Sequence, residues 1–310
     1  TRKASLTPLQ KCEGSWLENT PEAVGPTSAT AYFFASKLQE IIDVPVGIIV
    51  SCWGGSTIET WINRETLASK FSSEFDLSFL DGDKLVGTQF QTPCTLFNGQ
   101  VAPLVPYTLG GMIWYQGESN AHNKSAHELL FTLLVDSWRA WFRDPDLPFY
   151  YVQLSSLGRP SWPWFRDSQR TLLKAREHLG MAVTSDIGDP YDVHYKDKKP
   201  VGERLARWAL HNEYGRVGIV PSGPLFRSAR ASEGRLVVSF DYGDGLHAGA
   251  LPSGETVDAP LIGFEIAEFD GCFYPAKAEI TGNEVVLSAP EVARPALVRY
   301  GWEPYTRANL

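Results

Sequence analysis

Four short apolar runs alternate with stretches of helical spacing over the first two-thirds of the chain, and that alternation restricts the fold more than any other feature. The runs are VGIIV (residues 46–50), GMIWY (111–115), LPFYYVQL (147–154) and MAVTSDI (181–187). Between and around them, Ala31, Phe34, Ala35, Leu38, Ile41 and Ile42 recur at helical spacing, and Asp43 and Pro45 close that helix. Residues 125–142 read as a helix turning Leu129, Leu130, Leu133, Leu134, Trp138 and Trp141 inward, 166–179 as another, and 198–212 as the last. Such alternation predicts an α/β fold: a mainly parallel, doubly wound sheet in a three-layer α/β/α arrangement. From Pro221 the texture changes to short strands (RLVVSF, LIGFEIA, EVVLSA, ALVRYGW) divided by Gly, Pro and Asp-Gly turns. The expected organisation is therefore an α/β domain over 1–220 and an appended β-rich, sandwich-like domain over 221–310. The α/β part opens on a helix, whereas a doubly wound unit normally opens on a central strand, so a first strand is expected upstream of Thr1.

Three of the predicted strand ends carry unusual chemistry. GMIWY stops abruptly at Gln116-Gly117-Glu118-Ser119-Asn120, where a simple turn needs only a Gly and an Asn. VGIIV runs into Ser51-Cys52-Trp53-Gly54-Gly55, a tight turn before a helix near Thr57. The fourth run feeds the loop SDIGDPYDVHYKDK, which holds Asp186, Asp189, Asp192 and His194 within nine residues. Ligands of open α/β sheets bind at the carboxyl ends of the strands. Gly54 and Gly55 suit a turn needing φ > 0, and equally a backbone N–H aimed at a developing oxyanion. Gln116 or Asn120 supplies a second donor to the same charge. Of six histidines, only His194 stands at a strand's carboxyl edge beside carboxylates, the setting of a general base. The aspartates lack the regular spacing and closing Glu of a calcium loop.

The composition narrows the partners. A net charge of −8 argues against nucleic acid and anionic membranes, and no apolar run approaches the ~20 residues of a membrane span. Cys12, Cys52, Cys94 and Cys272 show neither CxxC nor Cys/His clustering, so no metal site is expected, and they permit one bridge in an exported protein. Ten tryptophans suit a large core and also sugar-stacking surfaces. No GxSxG elbow occurs, and Ser51, Ser56 and Ser119 each already sit inside another motif.

SCWGGSTIETW, LFNGQVAPLVPYTLGGMIWYQGESNA and DIGDPYDVHYKDKKPVGERLARWAL together resemble the sialate O-acetylesterase family, a branch of the SGNH hydrolases. The resemblance runs from about Lys3 to Leu310. It implies an SGNH-type sheet and ester hydrolysis by a serine nucleophile, with His194 as base, Asp192 orienting it, and Gly54, Gly55 and Gln116 forming the oxyanion hole. Glu118, Ser119 and Asn120 support that hole. No metal or organic cofactor is implied, and the setting is extracytoplasmic. Two departures matter. The superfamily's Asp-x-x-His pattern would place Asp where Tyr191 stands, which leaves Asp192 and Asp189 as competitors. Ser119 occupies the place of the usual oxyanion Asn, which favours Gln116. The family's nucleophile lies in a Gly-Gln-Ser-Asn block that this sequence lacks, so the serine is expected on an upstream segment or a small subunit. The implied substrate is an O-acetylated glycan or sialic acid. Acetyl xylan esterase and a non-catalytic glycan-binding subunit are the alternatives.

Overall fold

The computed structural model describes residues 2–85, 87–249 and 260–310. It divides into two compact units. The first comprises 1–154, 164–182 and 197–209; the second comprises 155–163, 183–196 and 210–310. The second unit thus gathers two loops that lie within the stretch expected to form the α/β domain.

In the first unit, α1 (Pro21–Val24) and α2 (Ala29–Ile42) lead the chain. Ser28 caps α2 by accepting the Ala31 N–H at 3.3 Å, and Asp43 ends it in the left-handed conformation (φ 54°). After α3 (Arg64–Phe71) comes the sheet: β1 (Met112–Trp114), β2 (Phe149–Val152) and β3 (Leu179–Ala182), parallel and in that order. Met112 pairs with Phe149, and Phe149 with Leu179. Every residue of β2 and β3 is buried, as a parallel sheet covered on both faces requires.

Three long helices cover it: α4 (Lys124–Phe142), α5 (Trp162–Leu172) and α6 (Lys199–Asn212). Alternation along β2 assigns the faces. Phe149 and Tyr151 point one way, onto Phe131 of α4, with ring centroids 5.8 and 4.8 Å apart. Tyr151 also donates its hydroxyl to the Gln169 carbonyl of α5 at 2.6 Å. Tyr150 points the other way, where Trp208 of α6 lies against Gly180; a Cβ on that glycine would come within 2.7 Å of the indole. Gly202 lets α6 approach the α2 backbone equally closely. Helices therefore cover both faces, as the alternating pattern predicts.

Several elements differ from the sequence reading. Residues 46–50 form no ladder: among the described residues β1 pairs only with β2, and an apolar run becomes a strand only by hydrogen bonding to a neighbour. Val50 stays 43% exposed. Helix α5 stops at Leu172, not 179, and β3 starts two residues earlier than expected, after His178 turns the chain with φ 56°. Leu129 faces outward on α4, at 41% exposure.

In the second unit, β4 (Leu225–Ser232), β5 (Arg235–Asp241), β8 (Lys277–Thr281) and β9 (Glu284–Ser288) form an antiparallel sheet ordered β4-β5-β9-β8. Strands β6 (Phe264–Ala267), β7 (Tyr274–Pro275) and β10 (Leu297–Tyr300) form another, ordered β10-β6-β7. Leu236, Val238 and Phe240 from one sheet share a core with Phe264 and Ile266 from the other, the period-two signature of packed sheets. All four cysteines are free, Cys94 alone being buried.

Candidate active site

The first unit wires two of the polar strand ends together. Gly117 (φ 150°) opens the turn after β1, and a Cβ there would lie 2.6 Å from the Phe165 ring, so only glycine fits. Gln116 then donates both hydrogens of its buried amide, to the Ser56 carbonyl at 3.0 Å and to Asn120 Oδ1 at 2.7 Å. Asn120 Oδ1 also accepts the Ile58 N–H at 3.0 Å, while its Nδ2 donates to Glu59 Oε2 at 3.2 Å. Ser119 Oγ donates to the Gly55 carbonyl at 3.2 Å, and Gln91 Nε2 donates to that same carbonyl at 3.2 Å. The turn Trp53–Ile58 is thereby held by its carbonyls from two sides.

The two glycines contribute differently. Gly55 takes φ 78°, which a side chain would strain, and a Cβ would press on the Phe90 ring at 3.2 Å. No heavy atom lies within 4 Å of where a Gly54 Cβ would stand. Among the described residues, no hydrogen bond consumes the N–H of Gly54 or Gly55. A fixed carbonyl and uncommitted N–H groups are what an anion-stabilising turn requires. Gln116 differs from expectation: its amide hydrogens are already spent on Ser56 and Asn120, so it braces the turn and can serve an oxyanion only by giving up one of those bonds. Ser51 Oγ donates to the Gln100 carbonyl at 3.4 Å, and Ser56 Oγ accepts the Trp61 indole N–H at 3.0 Å. With Ser119 on Gly55, each of the three local hydroxyls is engaged.

The His loop belongs to the second unit, where Ser156–Gly158 anchor it. Gly188 forms a bridge with Ser156, where a Cβ would come 2.9 Å from the Ser156 nitrogen, and Gly158 donates to the Pro190 carbonyl at 3.0 Å. Asp189 Oδ1 accepts the N–H groups of Tyr191 (2.7 Å) and Asp192 (2.9 Å). Asp192 Oδ1 accepts the His194 N–H at 2.8 Å and lies 3.6 Å from His194 Nδ1. The loop is thus two nested side-chain-to-backbone turns: Asp189 shapes it, and Asp192 faces the imidazole. The His194 side chain is 89% exposed. Asp186 lies on the same loop, and among the described residues no three His, Cys, Asp or Glu side chains gather as a metal site would need.

Sequence reasoning missed Gln91 and Glu59. Neither belongs to a polar cluster in the sequence, and each reaches its partner across more than thirty residues, so no local signal marks them.

A family model described as carbohydrate esterase, sialic acid-specific acetylesterase, matches residues 17–211. The sialate O-acetylesterase of Mus musculus is 29% identical, covering 76% of this chain and 53% of that protein; the Homo sapiens protein of the same name is 29% identical, over 71% and 46%. The chain thus spans about half the length of the curated relatives it matches. A crystal structure described as a novel carbohydrate acetylesterase from Xanthomonas citri superposes with a TM-score of 0.86 at 35% identity, covering 100% of this chain and 68% of that one.

Proposed function

The chain belongs to the sialic acid-specific acetylesterase family of carbohydrate esterases, and from that premise we propose that it removes O-acetyl groups from a sugar by acyl transfer through a serine. The observation that carries this reading is the Gly54-Gly55 turn, with the Gly55 carbonyl held by Ser119 and Gln91 and, among the described residues, both glycine N–H groups uncommitted. In the proposed reaction a serine Oγ attacks the acetyl carbonyl while His194 Nε2 takes its proton. Nδ1 is the ring nitrogen nearer Asp192, which leaves Nε2 for that task. The Gly54 and Gly55 N–H groups stabilise the oxyanion, and collapse of the tetrahedral intermediate expels the sugar hydroxyl, protonated by His194. Water, activated by the same imidazole, then releases acetate and regenerates the serine. Each oxyanion donor in such sites is worth ~10²–10³ in rate.

The nucleophile is proposed to come from a segment outside residues 1–310, because Ser51, Ser56 and Ser119 are engaged where they stand and β1 has an unpaired edge among the described residues. The proposed setting is extracytoplasmic, on the strength of the family; no helix among the described residues is long and apolar enough to cross a membrane. Within this chemistry, an O-acetylated sialic acid and an O-acetylated neutral sugar such as xylose differ chiefly in whether the ring carries a carboxylate. Hydrolysis of p-nitrophenyl acetate by the full-length protein tests the esterase reading, and His194→Ala should lower kcat by ~10²–10⁴. A variant that keeps most of its activity removes His194 from the mechanism. A full-length protein that binds acetylated sugar without hydrolysing the ester is instead a glycan-binding subunit.

A further inference from the structure

The loop that carries His194 also displays Tyr191, whose ring is 95% exposed, more than any other large apolar side chain among the described residues. Tyr191 stands three residues before His194, at the position the Asp-x-x-His pattern gives to a carboxylate. In this chain Asp192 faces the imidazole, 3.6 Å from Nδ1, so position 191 is released from orienting the base.

An exposed aromatic ring is ordinary by itself. Tyr191 differs in how firmly its backbone is held. Its N–H donates to Asp189 Oδ1 at 2.7 Å, and Pro190 before it fixes one backbone dihedral. The Pro190 carbonyl accepts the Gly158 N–H at 3.0 Å, and Gly188 bridges to Ser156. Beyond His194, Tyr195 is buried and ties down the far side of the loop. The ring is thus presented to water from a fixed support. A ligand that covers it orders no loop and freezes only two side-chain dihedrals, so little of the contact is lost to entropy.

The ring's faces are apolar and hydrated. Covering one with the C–H face of a pyranose removes apolar surface of both partners from water. Three residues of chain separate Tyr191 from His194 by at most ~11 Å. A sugar whose acetyl ester lies at the imidazole therefore has its ring within reach of the tyrosine.

We propose that Tyr191 stacks on the sugar ring of the substrate and makes the protein prefer acetyl esters of sugars over acyclic acetyl esters. The proposal rests on the esterase reading for the place of the ester, while the contact between ring and sugar is measured apart from turnover. Two arms test it with the full-length protein, Tyr191→Ala and Tyr191→Phe. The side chain is exposed, so both variants should unfold at the native urea midpoint.

The first arm compares kcat/KM for acetylated methyl xyloside, acetylated methyl glucoside and O-acetylated N-acetylneuraminic acid with that for ethyl acetate, which has no ring. For the sugar ester that the native protein hydrolyses best, Tyr191→Ala should lower kcat/KM by about tenfold, through KM, and Tyr191→Phe should retain most of it. Ethyl acetate should be hydrolysed equally by all three proteins. An unchanged sugar ester in Tyr191→Ala overturns the proposal. So does an equal loss on ethyl acetate, which would make the residue a support of the His194 loop, and so does a Tyr191→Phe variant as impaired as Tyr191→Ala.

The second arm is isothermal titration of the same three sugars without their acetyl groups. Tyr191→Ala should bind the best of them about tenfold more weakly than the native protein, and Tyr191→Phe about as well. Equal binding by the native protein and Tyr191→Ala, or binding of none of the sugars by the native protein, overturns the proposal. If neither ethyl acetate nor p-nitrophenyl acetate is hydrolysed while this arm succeeds, it is the esterase reading that fails.

Discussion

At the residue scale, the His loop assigns different work to two aspartates that the sequence left in competition. Asp189 holds two backbone N–H groups, a task an asparagine Oδ1 performs almost as well. Asp192 Oδ1 lies 3.6 Å from the imidazole Nδ1 and accepts the His194 N–H at 2.8 Å, so it is the carboxylate that faces the ring. Asp192→Asn should therefore lower kcat by about tenfold or more, and Asp189→Asn by much less; steady-state kinetics showing the opposite order reverse the assignment. His127 yields a second prediction. It is buried in α4 beside Phe165, with ring centroids 4.4 Å apart, and among the described residues neither ring nitrogen has a hydrogen-bond partner. Burial pushes its pKa from 6.5 down to about 3, so the native state resists a proton that the unfolded chain accepts. Stability should fall as pH drops from 6.5 toward 3, by up to about 1.4 kcal/mol per pH unit. His127→Leu should flatten that slope in urea titrations run from pH 7 to pH 4; an unchanged slope would show that other groups set it. The position of His194 was legible because a loop histidine among aspartates is conspicuous. The commitment of Gln116 was not, because its partner Ser56 lies sixty residues away.

At the element scale, periodicity recovered what packing rewards. Helices α2, α4 and α6 present apolar faces every three to four residues, and each lies within two residues of its expected span. The misplacements have physical causes. Residues 173–178 (LKAREH) are strong helix formers, so nothing local announces that the chain leaves the helix after Leu172. Strand β4 was missed because most of it is exposed and it lacks a buried face to alternate with. The turns at 53–58 and 116–120 form one mechanical element, and Asn120 is its rivet. Asn120→Ala strands the buried Ile58 N–H and one hydrogen of Gln116, a cost of about 1–3 kcal/mol. The same change loosens the Gly54-Gly55 turn, so kcat should drop more than KM rises. A variant that unfolds at the wild-type urea midpoint with unaltered kcat would show that the two turns are not coupled.

At the scale of the whole molecule, the chain is interleaved in a way that sequence order conceals: 155–163 and 183–196 join the β-rich unit although α/β elements flank them. Only long-range contacts, such as the Leu157 N–H with the Pro304 carbonyl at 3.1 Å, reveal it. The same scale bears on the nucleophile. A catalytic serine needs a hydroxyl that can turn to an imidazole at ~2.6–3.2 Å, and the three serines of the polar turns are poorly placed for it. Ser56 is buried, with its oxygen on the Trp61 indole; Ser51 is turned to Gln100; and Ser119 braces Gly55, so moving it would release the turn it supports. The polypeptide of residues 1–310 alone should therefore resist a fluorophosphonate probe, and the full-length protein should take up one equivalent at a serine outside these residues. Peptide mapping by mass spectrometry reads the site of labelling. Stoichiometric modification of Ser51, Ser56 or Ser119 in the 310-residue polypeptide would return the nucleophile to this chain and require the Gly54-Gly55 turn to rearrange around it.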